Sequence, residues 1–167
     1  MLIYQRIQEK LEKISKNVLH NTKKHIIIPN VENIQIYLIG GVVLKEKITV
    51  LIADDNQEFA NILASYLRQH DDMEIIGMAK DGNEAVEIIK NEEPDVAILD
   101  VIMPHLDGLG VLEKINELHM QKRPLCIMLS AVGQDKITQR AINLGAEYYV
   151  LKPFDIELLI KRIKEVK

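Results

Sequence analysis

From Lys47 onward, five short apolar runs alternate with five stretches of helical period, and this alternation narrows the chain to one class of fold. The runs are Ile48 to Ala53, Ile75 to Met78, Val96 to Leu99, Leu125 to Leu129 and Tyr148 to Leu151, each of strand length. Between them Phe59, Ile62, Leu63, Tyr66 and Leu67 fall at i, i+3, i+4, i+7 and i+8, and Ile156, Leu159, Ile160 and Ile163 repeat that spacing. Ala85, Val86, Ile88 and Ile89 mark another helix, as do Leu109, Leu112 and Ile115, and then Ile137, Ala141 and Leu144. Strands separated by helices pair in parallel, because a crossover between parallel strands needs about a helix's length of chain. The expectation is a three-layer, doubly wound α/β domain around a five-stranded parallel sheet. Three runs are essentially apolar, as strands covered on both faces are, whereas the mixed stretch Glu74 to Gly77 marks the second strand as an edge.

Composition removes several other classes. The 167 residues are 47% hydrophobic and 28% charged, enough apolar material for a core and too much for a disordered chain. No apolar run approaches the roughly 18 to 20 residues that cross a bilayer, and the first residues lack the unbroken apolar stretch of a secretory signal, so a cytoplasmic protein with no membrane association is expected. A net charge of −4 and the lack of a predicted recognition helix argue against DNA binding by this chain alone. The single cysteine, Cys126, lies between Leu125 and Ile127 and is expected to be a buried small hydrophobe, which excludes disulfide scaffolds and Cys-rich zinc sites.

Ligands of such sheets gather beyond the carboxyl ends of the strands, near the point where strand order reverses. Asp54 and Asp55 follow the first run, Asp100 the third, Ser130 the fourth, and Lys152 with Pro153 the fifth. Singly, each has an ordinary reading, since Asp and Ser cap helices and a lysine before proline suits a loop. Together they set three carboxylates, a hydroxyl and an ammonium on one sheet edge. Two like charges roughly 4 Å apart repel by about 1 kcal/mol in water and about 4 kcal/mol at an effective dielectric near 20, so such a cluster calls for a cation. All-oxygen ligands suit a hard ion, and Mg²⁺ is the usual one beside phosphate. An exposed carboxylate next to Mg²⁺ suits phosphoryl transfer, with the carboxylate as nucleophile, the lysine neutralising the transferred oxygens and Ser130 hydrogen-bonding the new phosphoryl group.

The set Asp54-Asp55, Leu99-Asp100, Met103-Pro104, Asp107-Gly108, Ser130-Ala131 and Lys152-Pro153-Phe154 resembles the receiver domain of two-component response regulators, over essentially all of Lys47 to Lys167. Within that family, three runs look most like the receiver of the stage 0 sporulation transcription factor, which a phosphorelay controls. These are Ala53 to Asn56, Ile102 to Leu109 and Leu151 to Asp155. The resemblance implies a flavodoxin-like fold with strand order 2-1-3-4-5 and Asp100 as phosphoacceptor. It implies Mg²⁺ held by Asp54, Asp55, Asp100 and the backbone carbonyl of Ile102. Lys152 would pair with the phosphoryl oxygens after a cis Lys152-Pro153 bond, and Ser130 and Tyr149 would form the switch pair. Tyr149 also has a plainer reading as strand packing, like its neighbour Tyr148. His105 is expected to be a loop residue that tunes partner recognition, since no second ligand stands at metal spacing.

The implied partners are a histidine kinase or histidine phosphotransferase as phosphodonor, a possible phosphatase, and a second copy recruited on phosphorylation through the face from Gln134 to Ile160. Such a domain takes part in its own phosphorylation and dephosphorylation but is not an enzyme in the turnover sense. The DNA-binding output domain that follows the receiver in the resembled factor is absent from this chain. That leaves open a truncated product, an isolated receiver and a stand-alone phosphorelay carrier. A Mg²⁺-dependent phosphohydrolase with an aspartyl nucleophile would need a second acid near Asp100, where the residue two positions on is Ile102. A nucleotide- or flavin-binding module would need a glycine-rich phosphate loop after the first strand, and none follows it.

The resemblance does not cover residues 1 to 43, which carry a net charge of +3 against −7 for the rest. Their Ile-, Lys- and Asn-rich composition and the Gly40-Gly41 pair suit upstream sequence read through from a start at Leu44, giving a receiver over 44 to 167. The alternative is a genuine extension, with a helix along Ile3, Ile7, Leu11, Ile14 and Val18 and a strand within Ile34 to Val43.

Overall fold

The computed structural model describes residues 47–118, 120, 122–131 and 133–165, together with three short strands that precede them. The chain divides into two compact units, Met1–Glu46 and Lys47–Lys167. In the first, β1 (Ile26–Ile27), β2 (Ile36–Ile39) and β3 (Val42–Lys45) form an antiparallel sheet in that order, with Ile39 opposite Val42. The single strand expected within Ile34 to Val43 is therefore two paired strands, and the helix expected over Ile3 to Val18 lies outside the described residues.

The second unit alternates β4 (Ile48–Ala53), α1 (Gln57–Leu67), β5 (Met73–Ala79), α2 (Gly82–Glu92), β6 (Val96–Asp100), α3 (Gly108–Glu117), β7 (Leu125–Ser130), α4 (Asp135–Asn143), β8 (Tyr148–Leu151) and α5 (Ile156–Lys164). Its sheet is parallel throughout with order β5-β4-β6-β7-β8, the expected 2-1-3-4-5. The inner strands β4, β6 and β7 are buried almost end to end, while β5 and β8 are half-covered edges. Alternate residues of β7 enter opposite cores, as the two-residue period of a strand requires. Ile127 and Leu129 pack under α1 and α5, and Cys126 and Met128 under α2, α3 and α4. Cys126 is fully buried as expected, and burial pushes its thiol up to about 12.

Helix starts follow from short polar caps. Asn56, Asp81, Asp107 and Asp155 each accept a backbone N–H of the following turn, at Phe59, Glu84, Gly110 and Glu157. The buried stripe of α1 departs from expectation. It runs Ala60, Leu63, Ala64 and Leu67, while Ile62 and Tyr66 are 49% and 44% exposed. Both stripes share Leu63 and Leu67. The observed one puts alanines against the sheet, which lets the helix backbone approach it closely.

Candidate functional site

The chain leaves β4 for β5 on one side, then crosses to β6 on the other, so strand order reverses between β4 and β6. Asp54 is the first residue beyond β4, held by its N–H donating to the Ala79 carbonyl at 3.0 Å. Asp100 is the last residue of β6, paired with Leu129, rather than the first of the loop. Both carboxylates are buried, and Asp55 beside them is exposed.

Lys152 arrives from two strands away. Its N–H donates to the Ser130 carbonyl at 2.7 Å, and its bond to Pro153 is cis. The ammonium Nζ lies 2.6 Å from Asp54 Oδ2 and 2.7 Å from Asp100 Oδ1, two short charge-assisted bonds. The other oxygens accept backbone donors, Asp54 Oδ1 from Asn56 N–H at 2.9 Å and Asp100 Oδ2 from Ile102 N–H at 2.8 Å. Each buried carboxylate thus has one ammonium and one peptide partner. Behind Asp100, Gly108 donates its N–H to the Val101 carbonyl at 3.0 Å, and a Cβ there would collide with the Asp100 carbonyl oxygen. No larger residue fits without moving the end of β6.

Burial raises the Asp100 carboxyl above its ordinary value. The hydrogen bond and charge of Lys152 pull the other way, the Asp54 charge adds to the rise, and the net shift is upward. Burial alone would lower the Lys152 ammonium, but its hydrogen bonds and charge pairing with Asp100 and Asp54 outweigh that and raise it. With Asp54 and Asp100 ionised, one ammonium leaves the contacting trio one negative charge in excess, and the exposed Asp55 follows Asp54 in sequence.

This segment matches the response regulator receiver domain family over residues 50–164. The chain belongs to that family. Among solved structures, it is similar to the signal receiver domain of NarL from Mycobacterium tuberculosis, at 29% identity and TM-score 0.67 over 72% of this chain and 95% of that one. It is equally similar to the response regulator domain of CheB from Thermotoga maritima, at 30% identity and TM-score 0.66 over 72% and 96%. A third is the CheX–CheY complex with BeF3 and Mg²⁺ from Borrelia burgdorferi, at 31% identity and TM-score 0.65 over 72% and 90%.

The structure brings three of the expected receiver residues into direct contact: Asp54, Asp100 and Lys152. Ser130 ends β7, buried, its carbonyl fixing Lys152. Tyr149 lies opposite Met128 on the edge strand β8, half-buried against the α2, α3 and α4 face, while Tyr148 faces the α1 and α5 side. The Ile102 side chain is 59% exposed, and its N–H is the group seen to engage Asp100. His105 is exposed with φ +63°, in a three-residue turn closed by Leu106 N–H and the Pro104 carbonyl at 2.7 Å.

Among the described residues, no three acidic, His or Cys side chains are drawn together as a ready metal-ligand shell, and the Lys152 ammonium bonds both Asp54 and Asp100. The donor chemistry nevertheless suits a hard divalent ion. All donors are oxygens, and each of the two buried carboxylates keeps lone pairs beyond those in use.

Sequence reasoning missed two residues beside the site. Gln57 Nε2 donates to the Asp54 carbonyl at 2.8 Å, and the Phe59 ring has Lys152 Nζ 4.3 Å from its centroid. The available signal was position, since both fall in the first helical turn after the acidic pair.

Proposed function

We propose that this receiver accepts a phosphoryl group on Asp100 from a histidine-phosphorylated kinase or phosphotransferase, and that the acquired charge reshapes the α4, β8 and α5 face. The observation that carries this reading is the Lys152 ammonium bonded at once to Asp54 and Asp100 where strand order reverses. Asp100 is the nucleophile, and Lys152 neutralises the phosphoryl oxygens once they arrive. Asp54, Asp55, Asp100 and the Ile102 carbonyl would hold Mg²⁺, which supplies charge neutralisation on those same oxygens. The similar CheY structure with BeF3 and Mg²⁺ supports that choice of ion. A phosphoryl group adds about −1.5 to −2 charges, enough to draw Lys152 and the Ser130 hydroxyl inward and let Tyr149 follow.

The switching helix suits such a role. Only Ala141 of α4 is fully buried, and Ile142 is exposed, so few contacts hold the helix in one place. A hydrolase reading lacks its acid, because the apolar Ile102 occupies the position two beyond Asp100. The finer placement, control of sporulation initiation with a phosphorylation-promoted homodimer and a possible phosphatase, rests on the sequence runs quoted above.

Incubation with Mg²⁺ and a small phosphodonor, read by intact mass, tests the proposal. One acid-labile phosphoryl adduct is expected, and steady multiple-turnover phosphate release would overturn it. For the finer placement, rapid transfer from a phosphorylated sporulation phosphotransferase is expected, and no transfer from it would remove the sporulation assignment alone.

A further inference from the structure

We infer that Phe59 is a positioning residue for Lys152, its ring face holding the ammonium between Asp54 and Asp100 while leaving it free to turn toward an incoming phosphoryl group. The kinetic side of this inference rests on the reading of Asp100 as phosphoacceptor; the contact itself does not.

Lysine carries three N–H donors on a long flexible stem. Two point to Asp54 Oδ2 and Asp100 Oδ1, and the Phe59 ring lies against the same ammonium at 4.3 Å. The negative face of an aromatic ring attracts a cation, most strongly where water is partly excluded, and both Phe59 and Lys152 are half-buried. The ring is itself fixed from two sides. Its backbone N–H donates to Asn56 Oδ1 at 3.1 Å, and the N–H of Asn56 donates to Asp54 Oδ1. On the other side the ring forms a T-shaped pair with Phe154, two residues beyond Lys152, at 6.1 Å and 84°. The contacts close a circuit from Asp54 through Asn56 and Phe59 to Lys152 and back to Asp54.

An aromatic partner differs from a third oxygen in a way that matters for transfer. A carboxylate or carbonyl would give the ammonium a directed hydrogen bond, which would have to break as the lysine swings to the phosphoryl oxygens. A ring face attracts without a fixed direction, so the ammonium can pivot over it.

The test uses the full chain with Mg²⁺ and acetyl phosphate. An Asp100 carboxylate oxygen attacks phosphorus, the new O–P bond forms as the bond from phosphorus to the acetate oxygen breaks, and acetate leaves with the electron pair. In Phe59→Leu the maximal phosphorylation rate is expected to fall about 3- to 10-fold with donor half-saturation unchanged, and Phe59→Tyr to stay within about 2-fold of wild type. By NMR, the Lys152 Cε protons are expected to be shifted upfield by the ring in wild type and Phe59→Tyr, and to lose the shift in Phe59→Leu. A wild-type rate in Phe59→Leu, a loss that Phe59→Tyr does not rescue, or unshifted Lys152 protons in wild type would overturn the inference. If wild type takes up no phosphoryl group, the proposed function fails, and the proton shift decides the contact alone. Should Phe59→Leu not fold, Phe59→Met takes its place with the same expectations.

Discussion

The two ends of the receiver sheet each bury an aspartate against a lysine, yet only at one end does a single ammonium serve two buried carboxylates. At the amino end Asp95, ahead of β6, accepts from Thr49 N–H at 2.8 Å, from Thr49 Oγ1 at 3.0 Å and from Lys122 Nζ, while its own N–H donates to Thr49 Oγ1 at 2.9 Å. Here a single carboxylate has a lysine ammonium, a backbone N–H and a hydroxyl among its donors. At the carboxyl end one ammonium serves two buried carboxylates, and the exposed Asp55 follows the first of them in sequence. A buried Asp–Lys pair therefore does not mark a functional site by itself. The surplus of negative charge separates the two ends, and under the proposed function a cation and a phosphoryl group would answer it.

The largest expected difference is in phosphoryl uptake. Asp100→Asn should abolish it and Asp95→Ala should leave it intact, as read by intact mass with Mg²⁺ and a phosphodonor. Uptake surviving in Asp100→Asn would place the acceptor elsewhere.

Stability should respond in the opposite sense. Asp95→Ala leaves the half-buried Thr49 N–H without its carboxylate acceptor and takes the acceptor from the Thr49 hydroxyl, and is expected to cost about 1–3 kcal/mol in urea unfolding. Asp100→Asn removes one of two buried like charges, so without metal the variant should be as stable as wild type or more so. An Asp95→Ala protein as stable as wild type would show that the amino-end cluster is not a staple.

The lysines sharpen the contrast with smaller effects. The Lys122 side chain is 55% exposed, so Lys122→Ala should cost under about 1 kcal/mol and leave signalling alone. Lys152→Ala should still bind Mg²⁺, since the lysine is assigned to the phosphoryl group rather than the metal. It should lose any phosphorylation-dependent change in sedimentation, and a wild-type change would sink its assigned role.

This contrast also explains what was legible in the sequence. The five strands and the reacting edge could be read because continuous apolar runs end on short polar residues, and a strand fixes where its last residue lies. Asp54, Asp100, Ser130 and Lys152 were found that way. Asp95 and Lys122 escaped because they sit where strands begin, where no motif separates a staple from an ordinary loop. The exposure of Ile62 and Tyr66 escaped because apolar periodicity ranks a helix face by hydrophobicity. Close packing on a sheet instead favoured the small side chains Ala60 and Ala64. The ring of Phe59 escaped because its partner, Lys152, is set by the fold of the far edge strand and not by any neighbour in sequence.

The smallest expected effect is a pH dependence present at one end of the sheet through Asp100. Its carboxyl titrates at the ordinary 3.8 in the unfolded chain and higher in the native one, chiefly because burial disfavours the charged form. Between those two values the native state binds more protons than the unfolded state, so this group's contribution to stability falls as pH rises through the window. Above the native value the full penalty is present, and below 3.8 it is gone. In metal-free protein, urea unfolding from pH 3.5 upward should therefore show wild type losing stability relative to Asp100→Asn as pH increases through that window, with the gap then level toward neutrality. Added Mg²⁺ should narrow the gap, because a cation on the cluster favours the ionised form that burial opposes. A gap that does not change with pH would mean that Lys152 already compensates Asp100 in full, and the carboxyl end would then be as balanced as the amino end.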